Sequence, residues 1–95
     1  MSDETQEPER IQGLEIALKL IPAVEEQLAS RDTPYVKQHF DRLLKEEDCD
    51  EQEAKEMIAL CLADEIERME RENDRQFNQM RYQMMLGFLP KLPDA

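Results

Sequence analysis

Apolar residues recur every three or four positions through most of the chain, the spacing of helices that bury one face. Ile11, Leu14, Leu18, Ile21, Val24 and Leu28 make the first stripe. Pro22 falls inside it, where it removes a backbone donor and crowds the preceding turn. The stripe keeps its phase across the proline. The pattern therefore predicts a first helix over about 8–30, either kinked or split into two pieces with Pro22 opening the second. Thr33-Pro34 marks the next start. Thr33 can cap, and Pro34 suits the first helical position, where a missing N–H is no loss. Val36, Phe40, Leu43 and Leu44 give the buried stripe of a second helix over about 34–46. Asp48, in the acidic run that ends it, can take a left-handed cap.

Asp50-Glu51-Gln52-Glu53 has the form of a capping box, with Cys49 and Ala54 spaced as a hydrophobic staple around it. Ala54, Met57, Ile58, Cys61, Leu62, Ile66 and Met69 follow as the longest clean stripe and predict a third helix over about 51–70. Lys55, Glu56, Asp64, Glu67 and Arg68 lie off that stripe. Asn78 is a good cap, with Phe77 and Tyr82 at staple spacing. A short Met-rich fourth helix over about 79–87 results, with Gly87 able to stop it. Met69, Asn73, Phe77, Met80 and Met84 also continue in helical phase, so one long rod in place of helices three and four is the alternative. The Leu-Pro pairs after residue 88 predict an extended tail.

The expected architecture is all-α: a small four-helix domain with a Pro-kinked first helix. Residues 1–7 form a disordered acidic N-terminus, 8–89 a single domain and 90–95 the tail. Composition agrees, since the 95 residues include two glycines and no tryptophan, against many good helix formers. The net charge of −11 changes the functional picture. Nucleic-acid binding rests on neutralising phosphates, and this field opposes both nucleic acids and anionic membranes. Arg31, Lys37, Arg42 and Lys45 come nearest to a basic patch, but acids are interspersed. No apolar run approaches the roughly 20 residues of a membrane span. Met1 to Arg10 has no signal-peptide character. Cys49 and Cys61 form no C-x-x-C, which fits a reduced, cytoplasmic protein.

Candidate chemistry is sparse. His39 is the one histidine, and no nucleophile is anchored beside it in sequence. Neighbouring carboxylates should suppress the Cys49 thiolate, and Cys61 sits mid-stripe as a small hydrophobe. Asp48-x-Asp50-x-Gln52 starts like a calcium loop but has Glu53 where glycine is required and Ala59 where the last ligand belongs. The acidic pairs Glu25-Glu26, Glu46-Glu47 and Glu65 with Glu67 read as solvated faces. No catalytic, cofactor or metal site is expected, and the chain is not expected to be an enzyme. Methionine is over-used on adaptable binding surfaces. Met80, Tyr82, Met84, Met85 and Phe88 are accordingly the candidate partner-binding residues.

Several segments together resemble a small bacterial all-α family of unknown function. They are TP-x-V-x-x-x-x-x-R-L-L from Thr33, EEDCDEQEA from Glu46, I-A-L-C-L-A-x-E-I from Ile58 and F-x-x-x-R-Y-x-x-x-L-x-x-L-P from Phe77. EIALKLIPAVEEQLA from Glu15 extends the similarity to about 11–93. The resemblance implies a helical fold and a bacterial cytoplasmic setting. Members of that family often carry histidines where this chain has Glu15 and Lys19, so the resemblance implies that any ligand of theirs does not transfer, and it brings no activity with it. The expected function is an acidic protein–protein interaction module for a basic or amphipathic partner. A self-assembling homodimeric structural protein is the alternative, and a small-molecule binder or enzyme with a site invisible in sequence is another.

Overall fold

The chain starts a new helix at each of two prolines, Pro22 and Pro34, and at each of two side-chain caps, Asp50 and Asn78. The computed structural model describes residues 14–93, and all regular structure among them is helical. A helical stretch at 14–19 leads into α1 (Ile21–Ala29), α2 (Pro34–Glu46), α3 (Glu51–Arg71) and α4 (Gln79–Phe88). The all-α expectation holds. Helix α1 packs on α2 and α3, and α4 packs on the same two from the other end of the chain. The core forms between them, from Val24, Val36, Leu43, Ile58, Tyr82 and Leu86 among others.

The first helix takes the split form. The Leu20 N–H donates to the carbonyls of Ile16 (3.2 Å) and Ala17 (2.9 Å), which tightens the turn. Helix α1 then opens with Pro22 in its first turn, where the missing N–H breaks no ladder. The expected stripe is corrected here. Leu14 and Leu18 are exposed, and Ala17 faces the core in line with Val24. A small side chain allows the closer approach, which leaves the two leucines on the flank. Ile11 lies outside the described residues, as do residues 1–7.

Helix α2 runs over the predicted span, with Val36, Phe40 and Leu43 buried. Thr33 does not cap it. Its hydroxyl donates instead to the Gln27 carbonyl at the end of α1 (2.9 Å), tying the two helices together. Asp48 takes the left-handed conformation (φ 56°), and the Cys49 N–H donates to the Leu43 carbonyl. The capping box of α3 is complete. Asp50 Oδ1 accepts from the Glu53 N–H (2.8 Å), and Glu53 Oε1 accepts from the Asp50 N–H (3.1 Å). Asp50→Ala is expected to lower stability by about 0.5–2 kcal/mol in urea unfolding. An unchanged midpoint would mean that the box contributes nothing to holding α3.

No rod forms from helices three and four. Asn73 is left-handed (φ 53°), the Asp74 N–H donates to the Met69 carbonyl (2.8 Å) and the Asn73 N–H to that of Glu70 (3.2 Å). That is a Schellman end with asparagine in the glycine position. Helix α4 starts where expected, with Asn78 Oδ1 accepting from the Arg81 N–H (3.0 Å). Gly87 does not stop it. The glycine is helical, and α4 continues to Phe88. The tail begins with a turn, closed by the Lys91 N–H on the Phe88 carbonyl (2.9 Å), and is not extended at that point.

Candidate functional site: the outer face of the last helix

Helix α4 is fixed in place by a network of buried charges and by the packing of its inner face. Glu65 and Arg68 sit at stripe positions of α3 and are buried, although Arg68 was expected off the stripe and Glu65 on a solvated face. Both expectations are corrected. Each Glu65 oxygen accepts twice. Oε1 takes Arg68 Nε (3.0 Å) and Arg81 Nη1 (2.9 Å), and Oε2 takes Arg68 Nη2 (2.7 Å) and the Asn78 N–H (2.7 Å). Arg68 spends its remaining donors on Glu72, Asp74 and the Gln76 carbonyl, so its guanidinium fork is fully used. Arg81 also bonds Asp64. The network joins α3, the connecting loop and the first turn of α4. Among the described residues, no buried side-chain polar atom lacks a partner.

Two further contacts hold the helix. Tyr82 is fully buried, its ring edge-on to Phe77 (5.4 Å) and Tyr35 (6.2 Å), and its hydroxyl donates to Gln27 Oε1 of α1 (2.7 Å). At the far end, Arg42 of α2 donates to the carbonyls of Leu89 (2.9 Å) and Leu86 (3.0 Å). A cation there satisfies carbonyls the helix leaves open and complements its dipole. Arg42 is thereby turned inward and Lys37 pairs with Asp41, so the nearest thing to a basic patch is not assembled. His39 Nδ1 accepts from Arg42 Nε (3.3 Å). Burial first, then the Arg42 charge, push its pKa down, and its ring lies beside Gly87.

The candidate binding residues divide. Tyr82 is core, which corrects its expected place on a binding surface. Met85 is half-buried. Met80, Met84 and Phe88 stand 74%, 59% and 64% exposed. They are spaced four apart, so they form one row along α4. Phe88, Met85, Lys91, Leu92 and Pro93 also line a shallow cleft of about 240 Å³. A second cleft of about 400 Å³ lies between the end of α3 and its loop, lined by Ile66, Met69, Glu70, Asn73, Asp74 and Arg75. Among the described residues, no three His, Cys, Asp or Glu side chains gather as metal ligands.

Neither thiol is poised as a nucleophile. Burial, with Asp64 adding to it, pushes the Cys61 thiol up to about 12. Burial and then the Glu53, Glu47, Asp50 and Asp48 carboxylates push Cys49 up. Glu65 moves the other way. The Arg68 hydrogen bonds, opposed by burial and helped by the Asn78 N–H and Arg81, hold its carboxyl at about 2 against an ordinary 4.5. A carboxyl depressed by folding stabilises the protein fully above its unfolded pKa, and the contribution fades as pH falls through the folded one. The stability difference between wild type and Glu65→Gln should therefore shrink as urea titrations move from pH 5 to pH 2. A constant difference would remove the ionised Glu65 from the account.

No protein-family model, curated protein or solved structure matches the chain. No helix among the described residues is long and apolar enough to cross a membrane.

Proposed function

We propose that this chain is an acidic helical protein-interaction module that receives an amphipathic partner element on the outer face of α4. The row Met80, Met84, Phe88 carries this reading. These are three large, adaptable apolar side chains left in water on a helix that is otherwise anchored from behind at both ends. Soluble domains seldom leave contiguous apolar surface exposed unless something covers it, and Met and Phe are enriched at interface centres. The rigid backing matters because a surface that is ordered before binding loses less entropy on association. The module works by binding alone, with no catalytic step. Its two unbridged cysteines support a reducing, cytoplasmic setting. The helix-start segments at Thr33 and Glu46 support kinship with the small bacterial family they resemble.

Met84→Glu tests the reading, since an exposed substitution of this kind changes stability by only about 0.5 kcal/mol. In paired affinity capture from host lysate, wild type should retain a stoichiometric protein that the variant loses. Identical captured sets from a chain that is also monomeric would sink the assignment of this face.

A further inference from the structure

The acids of this chain are unevenly placed. Of its 23 Asp and Glu residues, every one except Asp94 lies at or before Asp74. From Arg75 to Pro93 the only charges are Arg75, Arg81 and Lys91. The exposed row of α4 therefore lies on the longest carboxylate-free stretch of a chain whose net charge is −11. A basic partner would be held by carboxylates rimming the apolar row, and α4 carries none.

We infer that the occupant is a second copy of this chain, and that the α4 faces of two copies pack on one another across a two-fold axis. The inference rests on the reading of this face as an interaction surface. Two molecules of charge −11 repel, and like charges set against each other in an interface oppose association strongly. They can meet only through a surface where carboxylates are few or paired; α4 carries none of its own, and Asp64 beside it is paired with Arg81. Lys91, which makes no ion pair among the described residues and lines the cleft beside Phe88, puts a positive charge next to the row, opposite to the net charge of the approaching copy. The row is also self-complementary. Met84 has Met80 one turn before it and Phe88 one turn after. An antiparallel crossing about Met84 sets Met80 of each copy against Phe88 of the other, a favourable sulfur–aromatic contact. An interface of this kind, with identical patches on both sides, closes at two copies and leaves no row exposed.

Sedimentation of the full chain tests this, with wild type, Met84→Glu and Met84→Cys compared by circular dichroism to establish that all three keep the fold. Wild type should be a dimer that tightens with added salt, because screening weakens the long-range repulsion between copies. Met84→Glu should weaken the dimer at least about tenfold by placing two carboxylates at the axis. Met84→Cys should give a covalent dimer on mild oxidation where wild type does not. A wild-type monomer up to about 1 mM, where even millimolar self-association is visible, would overturn the inference. So would a dimer indifferent to Met84→Glu. If the chain is monomeric yet lysate capture still depends on Met84, the face binds another protein and the interaction reading stands. If capture is also indifferent, both readings fall.

Discussion

Glu65→Ala is expected to lower the unfolding free energy by about 3–5 kcal/mol, the range for breaking a buried ion pair from one side. The side chain is fully buried and accepts four hydrogen bonds. Removing it strips both anchoring arginines of their shared acceptor. It also leaves the part-buried Asn78 N–H at the head of α4 without its carboxylate partner. Arg68 retains Glu72 and Asp74, and Arg81 retains Asp64, but those carboxylates lie nearer the surface and return less. Urea unfolding followed by circular dichroism measures the loss. A destabilisation below about 1 kcal/mol, ordinary for a surface change, would mean that Glu65 does not organise the junction.

Tyr82→Ala is the second large expected effect, also about 3–5 kcal/mol, as for other large aromatic-to-alanine changes in cores. The ring fills the space between α1, α2 and α4, and it meets Phe77 and Tyr35 edge-on, an arrangement worth something beyond area alone. Tyr82→Phe separates the two contributions. It keeps the packing and removes only the bond to Gln27, so it should cost about 0.5–1.5 kcal/mol. Equal losses in the two variants would place the energy in the hydroxyl and contradict the packing account.

These two residues also show where reading the sequence stops. The sequence by itself determined the span of α2 and the start of α3, and it offered the start of α4 against a continuous rod. The Asp50–Glu53 box, the Asn78 cap, the Phe77–Tyr82 staple and the α2 span of Pro34–Glu46 depend on partners within a few positions, so local chemistry is enough to specify them. The sequence pattern put Glu65 on a solvated face and Arg68 off the stripe, because only the fold supplies Asn78 and Arg81, 13 and 16 residues from Glu65, which make its burial tolerable. Thr33 spends its hydroxyl on the neighbouring helix and not on a cap, which is again a choice made between elements.

Side was the hardest question for periodicity alone. Helix α4 is apolar on two faces, with Tyr82 and Leu86 turned in and Met80, Met84 and Phe88 turned out. The pattern therefore named the candidate residues without dividing them into core and surface. In the first helix the same ambiguity put Leu14 and Leu18 inside, where packing prefers Ala17. Hydrophobicity says that a side chain gains by leaving water, and a capping residue says where a helix starts. Which apolar face finds a neighbour depends on how closely two helices can approach, and that is decided only when the helices meet.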